Sequence, residues 1–210
     1  MIRVLIADDH AIVRHGLKQI VAETDDMTVI GEANTGAEAI KLIRNTPCDV
    51  VLMDISLPDR NGIEVLKQIK KEYPKLPVLM LSMHAEREFA VRALKAGASG
   101  YLTKQSAPMQ LVDAICHVAA GKKYITPSLA EEVANMLSGD MEQPPHTLLS
   151  DREYETLCMI ASGKTLSVIA AELILSPKTV SVYRSRVLEK LNLKNNSDIT
   201  RYAIKNQLVE

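Results

Sequence analysis

The stretch Val4-Leu5-Ile6-Ala7-Asp8-Asp9-His10 decides the fold. A short apolar run rich in strand-forming residues ends abruptly on two carboxylates, the pattern of a buried strand whose far end carries polar chemistry. The same pattern recurs along the chain. Val50-Val51-Leu52-Met53 closes on Asp54, Val78-Leu79-Met80-Leu81 closes on Ser82, and Tyr101-Leu102-Thr103 is followed by Lys104. In an open parallel α/β sheet, ligands bind outside the carboxyl ends of the strands, so residues far apart in sequence can converge there.

Working outward, strands are predicted near residues 2–7, 28–33, 49–53, 77–82 and 99–103, each followed by an amphipathic helical pattern near 11–23, 36–45, 62–72, 85–96 and 107–119. Alternating βα units of this kind build a parallel sheet covered by helices. Several helix starts are marked chemically. Thr35 with Glu38 forms a potential capping box, Asn61 precedes Gly62 and Glu64, and Ser106 stands before the last helix. This organisation predicts an α/β domain over residues 1–120.

After Gly121 the pattern changes. Thr126-Pro127 opens a short predicted helix through Leu137, and the Gly, paired Pro and polar residues of 138–145 break regular structure. Residues 121–147 are therefore read as a linker. From 148 to 210 every segment has helical spacing: Ser150 with Glu153 caps one helix, Thr165 starts a second, Ser176-Pro177 a third, and Ser197 or Asp198 a fourth.

Clustered carboxylates repel one another, so Asp8, Asp9 and Asp54 ionise together only at a cost unless a cation shares their site. All-oxygen donors of hard character favour Mg²⁺, which keeps several waters and takes few protein carboxylates. Asp54 can then act as a nucleophile toward activated phosphorus, with Lys104 pairing with phosphoryl oxygens and the Ser82 hydroxyl donating to them. Each residue alone has an ordinary reading as a helix cap or a surface charge. Their ordered placement at successive strand ends is what the ordinary readings do not explain.

Composition excludes several classes. The chain has 210 residues, 47% of them hydrophobic, and a formal net charge of −1, as in a soluble globular protein. Its apolar runs are too short to span a bilayer and the amino terminus lacks a signal-type segment, so no membrane partner and a cytoplasmic location are expected. Cys48, Cys116 and Cys158 are odd in number and without metal-ligand spacing, which suits reduced structural thiols.

Charge is unevenly distributed. Between Ser176 and Lys194, Lys178, Arg184, Arg186, Lys190 and Lys194 face a single acid, Glu189. A helix beginning at Pro177 places Val180, Tyr183, Val187 and Leu191 on one face and Lys178, Ser181, Val182, Ser185 and Glu189 on the other. The first face is core, and the second is free to enter a major groove.

These segments carry a resemblance. Ile6-Ala7-Asp8-Asp9-His10, Leu52-Met53-Asp54-Ile55-Ser56-Leu57-Pro58, Leu81-Ser82 and Gly100-Tyr101-Leu102-Thr103-Lys104 resemble the receiver domain of bacterial two-component response regulators. Leu149-Ser150-Asp151-Arg152-Glu153, Ile169-Ala170 and Leu175-Ser176-Pro177-Lys178-Thr179-Val180 resemble the LuxR-type helix-turn-helix domain of the NarL/FixJ subfamily. The receiver likeness implies a flavodoxin-like five-stranded parallel sheet in the order 2-1-3-4-5, followed by a small all-α helix-turn-helix domain. It implies phosphorylation of Asp54 by a histidine kinase. Mg²⁺ would be held by Asp9, Asp54 and the backbone carbonyl of Ser56, with Asp8 assisting partly through water. Ser82 and Tyr101 become a switch pair, the ring turning into space the hydroxyl vacates.

The output likeness implies double-stranded DNA as partner, a homodimer when phosphorylated, and RNA polymerase as the machinery addressed. By it Ser181, Val182 and Ser185 face base edges, with Lys178, Thr179, Tyr183 and Arg186 nearer phosphates. Many relatives carry basic residues where this chain has Ser181 and Ser185. The choice of base readers therefore stays open, and Arg184, at the core edge of the wheel, reaches a phosphate only by snorkelling. Two alternatives stand beside this reading. A haloacid-dehalogenase-like phosphohydrolase also forms an aspartyl-phosphate, but wants a DxD motif that Asp8-Asp9-His10 does not supply; a regulator acting through protein–protein contacts is the other. A metabolic enzyme is not expected.

Overall fold

The computed structural model describes residues 1–83, 87–126, 130 and 144–209, with Arg87 described by its backbone. Two compact units are present, Met1–Val133 and Ala134–Glu210. In the first, β1 (Ile2–Ala7), β2 (Met27–Ala33), β3 (Val50–Asp54), β4 (Val78–Ser82) and β5 (Gly100–Thr103) alternate with α1 (Ala11–Ala22), α2 (Gly36–Asn45), α3 (Gly62–Glu72), α4 (Arg87–Lys95) and α5 (Ala107–Ala119). All neighbouring strands are parallel, in the order β2-β1-β3-β4-β5 expected from the sequence.

Helices cover both faces of the sheet, which is why the central strands β3 and β4 read as near-continuous apolar runs, whereas β2 carries Thr28, Gly31 and Glu32 and is mostly half-buried. Val4, Ile6, Leu52, Leu79, Leu81 and Leu102 pack with Leu17 and Val21 of α1 and with Leu111, Ile115 and Val118 of α5. Leu5, Val51, Met53 and Met80 alternate with them along the same strands and are fully buried too. The order reverses at β1, between β2 and β3, and the ends of β1 and β3 open a crevice there.

Local chemistry sets the boundaries, with three differences from expectation. Thr35 accepts from the Glu38 amide at 3.1 Å, but the Glu38 carboxylate reaches back to Asn34 rather than Thr35. Ser106 does not cap α5; its hydroxyl donates to the Thr103 carbonyl at 3.0 Å. In the second unit, Asn195 and not Ser197 or Asp198 caps the last helix, accepting from the Asp198 amide. Beyond α5 the chain turns at Gly121, whose φ is +77°, and Tyr124 forms a parallel bridge with Gly100 at the edge of β5.

The second unit holds a 3₁₀ turn, Pro145–Leu148, and helices α6 (Asp151–Ala161), α7 (Leu166–Glu172), α8 (Pro177–Lys190) and α9 (Asn196–Lys205). Ser150 and Glu153 form the expected capping box, with Glu153 also held by Lys190 at 2.7 Å. Residues 127–129 and 131–137 of the expected short helix, and 138–143 of the expected linker, lie outside the described residues. Among the described residues no single helix is long and apolar enough to cross a membrane.

Candidate functional site

Three strand ends meet around one ammonium group. Lys104, just past β5, places Nζ 2.7 Å from Asp8 Oδ2 and 2.8 Å from Asp54 Oδ2. Asp8 follows β1 and Asp54 ends β3, both essentially without solvent contact. The Lys104 backbone amide donates to the Ser82 carbonyl at 2.7 Å, which fixes the lysine beside the end of β4. Ser82 and Tyr101 are both buried, at 3% and 6% exposure.

Burial pushes the Asp54 carboxyl up, and the Asp8 charge adds to this; the pull of Lys104 opposes both, leaving Asp54 at about 6. Burial also works against the Lys104 charge, but Asp54 and then Asp8 outweigh it, so its pKa is raised. The pocket therefore holds a firmly charged lysine next to a carboxyl that ionises near neutrality.

Asp9 lies at the mouth, partly exposed, with His10 Nδ1 2.7 Å from its Oδ1. Ligand atoms of Asp8, Asp9, His10 and Asp54 lie within 4.8 Å of one another, close enough to share one cation. The donors are mainly carboxylate oxygens, the set a hard divalent ion prefers. They also carry more negative charge than Lys104 balances, so they fit Mg²⁺.

Neighbouring residues, some of them not singled out by sequence reading, hold these groups in place. Arg14 Nη1 donates to the Asp8 carbonyl at 2.7 Å, riveting the turn after β1. Gly62 packs so tightly on β3 that a Cβ there would lie 1.9 Å from the Asp54 carbonyl oxygen. Ser56 and Asn61 form an antiparallel bridge across the loop after β3, and the Asn61 side chain caps α3 by accepting from the Ile63 amide at 2.9 Å. Asp59, in the same loop, accepts from the Gly36 and Ala37 amides at 2.8 and 2.9 Å. The Asn61-Gly62 pair was visible as a helix start, but Arg14 and Asp59 act across the fold and leave no local signal.

In the second unit α7 and α8 meet at 114°, within the range of a helix-turn-helix. Ile169, Ala170 and Leu173 are buried, and so are Val180, Val187 and Leu191 on the face that the wheel assigns to the core. Tyr183, expected on the core face, is only half-buried. Lys178, Val182, Ser185 and Arg186 are exposed, while Thr179, Ser181 and Arg184 are partly so. Arg184 Nε donates to Asn196 Oδ1 at the start of α9, so it turns away from the serine face. The Ser185 hydroxyl donates to the Ser181 carbonyl at 2.9 Å, leaving its oxygen lone pairs as acceptors for a partner.

Comparison with known proteins agrees with both units. Residues 4–116 match the family model "Response regulator receiver domain", and residues 147–203 match "Bacterial regulatory proteins, luxR family". The chain belongs to the response regulators. Over 209 residues, this regulator is 37% identical to response regulator UvrY of Escherichia coli, covering 99% of this chain and 96% of UvrY. It is 35% identical to response regulator GacA of Pseudomonas aeruginosa over 211 residues, 100% of this chain and 99% of GacA. Among solved structures it resembles RcsB of Salmonella enterica serovar Typhimurium bound to promoter rprA with phosphomimetic BeF₃⁻. That likeness has a TM-score of 0.65 at 26% identity and covers 96% and 97% of the two chains. The regulator thus joins a receiver to a LuxR-type DNA-binding domain, and the phosphohydrolase alternative falls away.

Proposed function

We propose that Asp54 is the phosphoacceptor of this regulator, and that its phosphorylation by a histidine kinase controls dimerisation and sequence-specific DNA binding. The observation that carries this reading is the meeting of Asp8, Asp54 and Lys104 from three strand ends, within 2.7 and 2.8 Å of one ammonium. Ionised Asp54 attacks the phosphorus of a phosphohistidine, a P–O bond forms as the P–N bond breaks, and the kinase imidazole leaves with the bond electrons. Lys104 and the Ser82 hydroxyl then face the phosphoryl oxygens. Asp8, Asp9, Asp54 and the Ser56 carbonyl would hold Mg²⁺, which when bound offsets the negative charge gathered there. The receiver thereby supports its own phosphorylation and slow dephosphorylation, and turns over no metabolite.

The buried Tyr101 next to β4 is the second member of the switch. Movement of Ser82 toward the phosphoryl group opens space for the ring, so a local bond becomes a change of surface. A dimer doubles the phosphate contacts of Lys178, Thr179, Tyr183 and Arg186, while Ser181, Val182 and Ser185 read the groove. Arg184, held by Asn196, contributes at most at the edge. RNA polymerase at the bound promoter is the target, and the cytoplasm is the compartment where kinase, DNA and regulator meet.

Fluorescence anisotropy on selected genomic DNA, with protein phosphorylated by acetyl phosphate and Mg²⁺, tests the reading. Phosphorylation is expected to tighten binding by about 5–150-fold, the usual range for coupled sites. Equal affinity of both forms across a range of salt would refute control by the receiver, and absence of DNA binding would favour an output through protein contacts.

A further inference from the structure

We propose that Asp59 is a positioning residue for the cation site, acting through the loop after β3. The inference rests on the reading of Asp54 and the Ser56 carbonyl as ligands of the divalent cation.

The loop from Ile55 to Asn61 carries Ser56 on its first arm. Its two arms are closed on each other by the Ser56–Asn61 bridge and by the Gly62 amide, which donates to the Ile55 carbonyl at 2.6 Å. Gly62 rests directly on the Asp54 carbonyl, so movement of the second arm is transmitted to the end of β3. Asp59 fastens this loop to the start of α2. Its Oδ1 accepts from the Gly36 amide at 2.8 Å and its Oδ2 from the Ala37 amide at 2.9 Å, the first two residues of α2.

Both amides belong to the turn of a helix whose N–H groups lack partners within the helix, and a carboxylate suits them by hydrogen bonding and by charge. Thr35 satisfies the Glu38 amide in the same turn, so Asp59 completes the cap from outside the helix. The helix is itself placed by β2, whose Ala33 carbonyl accepts from the Asp8 amide at 3.1 Å. One carboxylate therefore ties the loop that bears Ser56 and follows Asp54 to the helix after β2, the strand that steadies Asp8. Fit at Gly36 is tight: a Cβ there would meet Val65 at 2.5 Å and Arg60 at 2.8 Å, so α2 and the loop are built to touch.

Partners that orient metal ligands without touching the ion commonly change affinity by about 10–100-fold when removed. Binding of Mn²⁺ to the full chain, followed by electron paramagnetic resonance, and acetyl phosphate uptake at varied Mg²⁺ separate affinity from rate. Asp59→Ala is expected to raise the half-saturating cation concentration about tenfold or more while leaving the rate at saturating Mg²⁺ near that of the parent. Asp59→Asn keeps the shape and one acceptor and should fall between the two, which keeps the inference testable should the alanine variant fold poorly. A drop in melting temperature with half-saturation within twofold of the parent, in both variants, would make Asp59 a stabilising cap only and overturn the inference. Asp9→Ala is the control: if it leaves Mn²⁺ binding intact, the pocket reading falls and the role of Asp59 with it. If Asp9→Ala abolishes binding while both Asp59 variants retain it, the role of Asp59 alone falls.

Discussion

Replacing the proposed nucleophile should make the metal-free protein more stable at neutral pH. Asp54 is buried, and its carboxyl rises from the ordinary 3.8 to about 6. Between those values the folded state holds a proton that the unfolded chain has released. A carboxyl raised in this way contributes stability that is fully present below the unfolded pKa and is lost as pH rises through the folded one. Each pH unit of separation is worth about 1.36 kcal/mol, so the ionised, folded form carries a penalty of about 3 kcal/mol above pH 6 and almost none near pH 4. The attraction of Lys104 is already included in that net rise. Asp54→Asn removes the charge, keeps an oxygen within reach of Lys104, and leaves Lys104 its contact with Asp8 at 2.7 Å.

The expected gain is about 1–3 kcal/mol at pH 7.5, falling to about a third of that by pH 4.5. For a unit of this size it corresponds to roughly 4 °C in melting temperature per kcal/mol. Differential scanning calorimetry of the full chain in excess chelator, across pH 4.5 to 8, gives the curve. Adding Mg²⁺ should raise the melting temperature of the parent and move the asparagine variant little, because the cation offsets the repulsion that the substitution removes. A destabilised Asp54→Asn at pH 7.5 in chelator, or a gain that does not change with pH, would refute the electrostatic reasoning.

Three further outcomes are expected. Lys178→Ala should weaken specific and non-specific DNA binding alike and lower the salt slope by about one, measured by anisotropy at several salt concentrations, whereas Val182→Ala should change which sequences are selected. Ile174, between α7 and α8, is 72% exposed and has a φ of +50°, a left-handed conformation costly for a β-branched side chain; Ile174→Gly should raise stability by about 0.5–1 kcal/mol in thermal unfolding, and a loss would show that its side chain packs. Gly62→Ala forces a methyl to within 1.9 Å of the Asp54 carbonyl and should cost more than about 3 kcal/mol, so soluble, normally melting protein would contradict the described packing.

The sheet was legible because β1, β3 and β4 each carry a short apolar run stopped by a polar residue, as Val4 to Ala7 stops at Asp8, whereas β2 carries Thr28, Gly31 and Glu32. Helix starts were legible at most places where a side chain caps its own helix, as at Asn61, Ser150, Thr165 and Ser176. Ser106 misled because Thr103, three residues earlier, offers its hydroxyl a nearer partner than the helix amides do. Asn195 was passed over because four polar residues in succession, Asn195 to Asp198, compete for one cap. In the pocket, Asp8, Asp54 and Lys104 could be placed together from strand ends alone. The supports at Arg14 and Asp59 could not, since their bonds go to backbone atoms, which carry no residue identity. The orientation of Arg184 was likewise hidden, because its partner Asn196 lies on the next helix.

The central claim is that Asp54 takes the phosphoryl group in a cation-dependent step. Full-length protein incubated with acetyl phosphate and Mg²⁺, trapped with borohydride and mapped by mass spectrometry, tests it most directly. The account predicts one acyl phosphate, found as the borohydride-reduced alcohol at position 54 and absent in Asp54→Asn and in excess chelator. A reduced side chain mapping to another residue, or uptake undiminished without a divalent cation, would contradict it.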